Sequence, residues 1–415
     1  MDIYLFVWLF VSLCTSLALI LYGVPKVIEI ANLKQLFDDY TNIRKIHITD
    51  IPNIGGLVII MTFIVAYSIH PASGDLIGYE YLMASTVLLL AVGLKDDLLI
   101  IAPIKKFLGE LVVSSIVIFG IGLQIPSLGG LFGIYEIPYA LSIALTYFLF
   151  IGLMNGMNLI DGIDGLAASV TALAAALFSY WFYISGNEPL FVFSAVLSGC
   201  YGFFLLYNWS PAKVFMGDTG ALFAGFYLAF LSVHFLNSGI TGVTIAGWQG
   251  SMPIVLMSIL IIPIYDTARA IILRVISGKS PFIADANHIH HHFLEEGFTH
   301  AQTTSILVFL NFLIVGFVLL MSPFLSINTL FLSVILLCII SLPTYRFKRK
   351  VTSYRRLLAL RPQKELIKTQ DGHTELNENG KPIILAHKNG DDHINSNITD
   401  KLLIESDIHS YEVSD

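Results

Sequence analysis

LTYFLFIGLMNGMNLIDGIDGLAASVTALAAALFSYWFYI, residues 145–184, decides the fold: two apolar runs meet at a short polar turn, NLIDGIDGL at 158–166. A membrane helix needs roughly 20 mostly apolar residues, so the chain here crosses a bilayer, turns and crosses back. Carboxylates are expensive beside lipid, and a cluster of them at the ends of apolar segments marks chemistry more often than an accident of packing. Three further clusters share that placement: GLKDDLL at 93–99, YNWSPAKVFMGDTGAL at 207–222 and NHIHHHFLEEG at 287–297.

Outward from these clusters the chain is oily. A mean hydropathy of +0.76, with 55% hydrophobic and 13% charged residues, excludes the soluble globular class. The expected fold is an all-α polytopic membrane protein of about eleven transmembrane helices. They fall near 3–24, 52–70, 80–95, 107–123, 138–157, 166–185, 190–207, 219–240, 251–272, 304–321 and 325–344. Residues 1–345 form the transmembrane domain. From Tyr345 a basic run, YRFKRK, suits an anionic leaflet, and 346–415 reads as a polar cytoplasmic tail, either partly disordered or turning a small hairpin at Asn379-Gly380. The first apolar segment lacks a basic leader and a cleavage site, so it reads as a retained helix. Cys14, Cys200 and Cys338 lie inside spans and make neither a disulfide framework nor a metal spacing.

Lys and Arg set the orientation. With the N-terminus outside, the loops after odd-numbered spans and their edges carry Lys26, Arg44, Lys95, Lys105, Lys213 and Arg274, whereas loops near 71–79, 124–137, 186–189, 241–250 and 322–324 have neither residue. The positive-inside rule then places the C-terminus and all four polar clusters in the cytoplasm.

Each cluster has its own chemistry. Asp96 and Asp97, adjacent and therefore about 100° apart on a helix, can share a site only at a helix end. Such a pair calls for a cation, and Mg²⁺ held by one or two carboxylates, water and phosphate is the usual solution. Asn158, Asp161 and Asp164, spaced by three, fall on one helical face that can bind metal, ribose or a base, although Gly156, Gly162 and Gly165 favour a broken backbone there. Asp218 precedes an apolar span and would cap it. Beside it, Asn208 can hydrogen-bond a ligand and Phe215 can stack on a flat ring. His288, His290, His291 and His292 form a loop suited to phosphate contact, with Arg274 and Lys279 as auxiliary cations.

These clusters, together with FDDYTNIRKIHITDIPNIGGL at 37–57, resemble the polyprenyl-phosphate N-acetylhexosamine-1-phosphate transferase family over about residues 20–345. The resemblance implies transfer of an N-acetylhexosamine-1-phosphate, GlcNAc-1-phosphate by default, from a UDP-sugar to undecaprenyl phosphate, releasing UMP. It implies Mg²⁺, with Mn²⁺ as a substitute, held by Asp218 with Asn158. Asp96, Asp97, Asp161, Asp164, His290 and His291 take catalytic roles, one Asp of the pair taking the proton from the lipid phosphate. Arg44, Lys45, His47, Lys105, Asn158, Asn208, Phe215, Arg274 and His288 contact substrate. Ile100 stands where some relatives have a third acid. Direct attack and an aspartyl intermediate both stay open.

The expected setting is a bacterial inner membrane with the site facing the cytoplasm. The expected partners are a UDP-N-acetyl sugar, undecaprenyl phosphate, the bilayer and a second copy in a homodimer, with no nucleic acid. A second branch of the family transfers phospho-MurNAc-pentapeptide, but GKSPFIADANHIHHH resembles the hexosamine branch more. A proton-coupled secondary transporter would need ionisable groups at mid-span, whereas 138–157 and 304–321 contain none.

Overall fold

The computed structural model describes residues 3–34, 51–99, 101–238, 251–278 and 288–342. The chain divides into two units, 1–348 and 349–415. The second, which holds nearly all of the expected tail, lies outside the described residues. The first is helical: α1 (Ile3–Lys34), α2 (Gly55–Ser68), α3 (Tyr79–Leu99), α4 (Pro103–Ile121), α5 (Tyr139–Ile160), α6 (Leu166–Ile184) and α7 (Glu188–Asn208). Then follow α8 (Gly217–Ser238), α9 (Met252–Ile259), α10 (Ile261–Ile276), α11 (Ile289–Glu295), α12 (His300–Met321) and α13 (Ile327–Ser341).

Every expected span has a helical counterpart, and the chain is an all-α polytopic membrane protein. Among the described residues, six helices are individually long and apolar enough to cross a membrane, or seven with α9 and α10 taken as one bent span. Of the rest, α2 and α13 are shorter, while α3 and α4 carry the charged residues that build the site.

The ninth expected span is the one that differs in shape. It breaks at Leu260 into α9 and α10, which meet at 83°. Pro263 has no N–H to give the Ile259 carbonyl, so the ladder fails there. Buried Asn311 of α12 repairs the loss by donating to the carbonyls of Ser258 (2.9 Å) and Ile259 (3.4 Å). A break inside a bilayer survives only where protein satisfies the freed backbone in this way.

α8 is the axis of the bundle. It is buried nearly all round and packs against α2, α3, α5, α6 and α9. A helix that is apolar on every side belongs in the centre. Lipid is as apolar as leucine, so helix association here rests on close packing and interhelical hydrogen bonds. An aromatic cluster of Phe63, Tyr67, Phe193, Phe223 and Tyr227 supplies the first. Bonds such as Tyr201 Oη to the Gly220 carbonyl (2.8 Å) and Ser198 Oγ to the Ala172 carbonyl (2.9 Å) supply the second.

Candidate active site

The site is assembled on the first turn of α8. A helix start leaves backbone N–H groups without partners and carries about half a positive charge. Carboxylates from two other helices take those amides: Asp161, just past α5, accepts from Gly217, and Asp97, near the end of α3, accepts from Asp218 (2.7 Å) and Thr219 (3.2 Å). The Thr219 hydroxyl also donates to Asp97. Asp218 was expected to cap this helix, but it lies inside the first turn and its own carboxylate is left for other work. Asp97 is correspondingly engaged, so of the acidic pair Asp96 is the one that holds no backbone amide of α8, and its carboxyl meets that of Asp218 instead.

Asp96 and Asp218 share one ammonium. Lys106, in the first turns of α4, lies 3.0 Å from Asp96 Oδ2 and donates to Asp218 Oδ2. The other Asp96 oxygen accepts from Ile101 N at 2.9 Å. The Asp218 side chain keeps 30% of its surface open, against 11% for Asp96, so Asp218 is the more accessible carboxylate. Sequence reading chose Lys105, which is exposed, whereas its neighbour Lys106 is the lysine that meets the carboxylates. Two adjacent helical residues cannot face the same way. The signal that selects Lys106 is its stripe with Glu110, Val113 and Val117, all of them buried.

Asn158, Asp161 and Asp164 do not share a helical face, because α5 ends at Ile160 and the chain turns. Asp161 points to the start of α8, where burial and the nearby Asp218, Asp97 and Asp164 push its carboxyl well above the usual range. Asp164 turns the other way, accepting from Ala212 N (3.2 Å) and lying 3.3 Å from His300 Nδ1 of α12. Burial works against its charge, but His300, the Ala212 amide and the Ser210 hydroxyl outweigh it and hold the carboxyl below the usual range. Asn208 is likewise a brace: its oxygen accepts from Gly165 N (3.2 Å) and its nitrogen donates to Val214 O (2.9 Å). Asp164 and Asn208 therefore shape the site, and neither amide function of Asn208 is turned to a ligand.

The segment after the first loop is zipped onto the same place. Phe215 N donates to Pro52 O (2.8 Å), Gly55 N to Phe215 O (3.0 Å) and Gly56 N to Met216 O (2.8 Å). Gly56 packs so tightly on α8 that a Cβ there would come within 2.2 Å of Gly220 N. Phe215 is half-buried, three residues ahead of Asp218 in the chain. Arg44, Lys45 and His47 lie outside the described residues.

Two residues that sequence reading passed over hold the histidine loop. Asp266 of α10 accepts from His288 Nδ1 (3.0 Å) and Ile289 N (2.8 Å), and Arg269 one turn on meets His292 Nε2 at 2.7 Å. Their signal was an Asp and an Arg three apart in the apolar run IIPIYDTARAII. His288 is thus anchored to the scaffold. His290 is buried against the turn after α5: its Nε2 would lie 2.5 Å from a Cβ at Gly162, and that nitrogen has no partner among the described residues. Burial, then His291, lowers its pKa to about 3, so the ring is neutral. His291 packs beside it at 4.2 Å between ring centroids. Arg274 is buried further along α10.

Among the described residues no three His, Cys, Asp or Glu side chains converge with metal-ligand geometry. The Lys106 ammonium stands between Asp96 and Asp218, where a cation would have to enter. The donor set is nonetheless one of hard oxygens from carboxylates, which suits Mg²⁺ or Mn²⁺ and not a thiolate-seeking metal.

Comparison with known proteins agrees with this geometry. Residues 79–236, from α3 through α8, match the model of a family described as glycosyl transferase family 4. A Bacillus subtilis protein named probable undecaprenyl-phosphate N-acetylglucosaminyl 1-phosphate transferase is 29% identical over 366 residues, covering 84% of this chain and 96% of the relative. The decaprenyl-phosphate N-acetylglucosaminephosphotransferase of Mycobacterium tuberculosis is 31% identical over 65% of this chain and 71% of its own. A phospho-N-acetylmuramoyl-pentapeptide-transferase of Clostridium perfringens is 33% identical over 61% of this chain and 79% of its own.

Proposed function

Because this chain belongs to the polyprenyl-phosphate sugar-1-phosphate transferases of glycosyl transferase family 4, we propose that it transfers GlcNAc-1-phosphate from UDP-GlcNAc to undecaprenyl phosphate. An oxygen of the lipid phosphate forms a bond to the phosphorus that carries the sugar. The bond from that phosphorus to the oxygen of UMP breaks, and UMP leaves with the electron pair. One observation carries the reading: carboxylates from α3, α5 and α8 and a lysine from α4 converge on a single helix start.

Both reactants are anions, so their approach needs positive charge. Mg²⁺ bound at Asp218 would offset that charge and polarise the phosphate oxygens. Asp161, in the turn after α5 and within the field of Asp218, would complete the oxygen set with Asn158. Asp96, which holds no backbone amide of α8, is placed to take the proton of the lipid monophosphate, and the Lys106 ammonium beside it attracts the incoming phosphate. Neutral His290, with an unpartnered nitrogen, is a hydrogen-bonding group for a phosphate oxygen. Asp97, Asp164 and Asn208 keep the start of α8 and its loop in place. The absence of Lys and Arg from the loops at the opposite end supports a site that faces the cytoplasm of a bacterial inner membrane, where UDP-sugars reside.

The test is UMP release by purified protein with undecaprenyl phosphate, Mg²⁺ and a panel of UDP-sugars that includes UDP-MurNAc-pentapeptide. Release with UDP-GlcNAc alone supports the proposal. Release only with the pentapeptide donor would move the chain to the other branch, and no release with any donor would overturn it.

A further inference from the structure

Glu110 is the ionisable group that the proposed reaction leaves unexplained. It sits on α4 at 1% exposure, one turn deeper than Lys106. One of its oxygens accepts from Asn155 Nδ2 of α5 at 2.6 Å. Asn155 also donates to Ile151 O at 2.9 Å, which uses the second hydrogen and fixes the amide. The other oxygen, Oε1, is buried with no partner among the described residues. A buried acceptor left open is costly and calls for a donor.

Lys106 is the donor within reach. Residues four apart on a helix are neighbours, with Cβ atoms about 5–6 Å apart. Helical side chains lean toward the N-terminus of their helix, so Glu110 leans toward the turn that carries Lys106. The lysine stem is long and flexible, and its ammonium is a compact charge that can serve either carboxylate. Lys106 now holds Asp218, the carboxylate proposed above as the metal ligand. A divalent cation and an ammonium cannot share that oxygen without strong repulsion.

We propose that Lys106 is a built-in counter-ion for Asp218 that competes with the metal, and that Glu110 is a positioning residue which receives the displaced ammonium. The inference rests on the metal reading given under the proposed function. Removing the lysine frees Asp218 and tightens metal binding. Removing the Glu110 charge takes away the second berth and weakens it, but only while the lysine is present.

The experiment titrates Mn²⁺ into full-length protein in zwitterionic nanodiscs, reading free Mn²⁺ by electron paramagnetic resonance without any substrate. Wild type should bind Mn²⁺, and Asp218→Asn should lose that binding. Lys106→Met should tighten it by about tenfold, within the range usual for coupled sites. Glu110→Gln should weaken it several-fold in the wild-type background and have no effect beside Lys106→Met, as a double-mutant cycle reads. Lys106→Gln, closer in shape and polarity, is a second variant should Lys106→Met fail to elute as a monodisperse species. Mn²⁺ binding that is absent, or indifferent to Asp218→Asn, would sink the metal reading and this inference with it. Binding through Asp218 that neither lysine variant tightens, or a Glu110→Gln effect equal in both backgrounds, would overturn the inference alone.

Discussion

Replacing Asp97 by Asn should loosen the first turn of α8 before it affects any chemistry. The carboxylate accepts the Asp218 amide at 2.7 Å, the Thr219 amide at 3.2 Å and the Thr219 hydroxyl. An amide keeps one acceptor oxygen and turns N–H groups toward donors that already need acceptors. Loss of a helix cap costs about 0.5–2 kcal/mol, and loss of an anion at a helix start about 0.3–2 kcal/mol. Together these give roughly 3 kcal/mol, equivalent to about a hundredfold in a local opening equilibrium. Hydrogen exchange by mass spectrometry in nanodiscs should show peptides covering 217–220 exchanging about that much faster. Asp96→Asn should leave those peptides alone and depress turnover instead, because its carboxylate touches Ile101 N and Lys106 and no amide of α8. Unchanged exchange at 217–220 in Asp97→Asn, or equal acceleration in both variants, would refute the assignment of Asp97 to holding the helix.

Asp218→Asn keeps shape and removes charge, so UMP release should fall to near background while the protein still extracts and elutes as wild type; full activity would rule out Asp218 as the metal ligand. The depressed Asp164 carboxyl stabilises the fold above its unfolded value of about 3.9, and that contribution disappears as pH falls through its lower folded value. His300→Gln should therefore move the acid-unfolding midpoint upward when circular dichroism is followed from about pH 6 downward, and an unmoved midpoint would show that the pair contributes nothing. In a cysteine-free background, Asp75→Cys and Glu188→Cys, exposed at the end opposite the site, should react with an impermeant thiol reagent outside intact cells, whereas Lys213→Cys and Glu296→Cys should not. Labelling at Glu296→Cys would place the histidine loop away from the UDP-sugar pool.

The long apolar runs made the helices legible, and ionisable residues at their ends made the site legible, because both are local signals of composition. What stayed hidden is set by contacts far apart in sequence. That Asp97 accepts the amide of a residue 121 positions later is visible only once α3 and α8 are side by side. The same holds for Asn208, whose amide looks like a ligand contact until Gly165 and Val214 are seen to use both of its ends. Other misses were readable. The buried stripe on α4 fixes the phase that selects Lys106 over Lys105. Pro263, with no N–H to offer, marks the break of the ninth span. Asp266 and Arg269 were passed over because they sit within an apolar run instead of at its end, although two ionisable residues in such a run call for partners, which here are the histidines.

Charge balance explains why acids crowd a site meant for anions. Asp97 and Asp161 gather at the positive end of α8 because its amides need acceptors, and that need is structural. Their presence brings Asp218 and Asp96 into a crowded acidic region, where burial and the field of Asp218, Asp97 and Asp164 push the Asp161 carboxyl well above its usual range. Asp96, Asp97, Asp161 and Asp218 gather there against one ammonium, Lys106, and about half a charge from the helix, so the cluster is rich in carboxyl oxygens and poor in positive charge. A diphosphate cannot approach such a surface alone. On the proposed reading, this cluster of carboxyl oxygens would supply the affinity for the divalent cation, and the cation would let a nucleotide and a lipid phosphate meet there. On that reading the acids that hold the helix would also set the order of events, with metal binding before or together with the nucleotide and Lys106 yielding Asp218 to it.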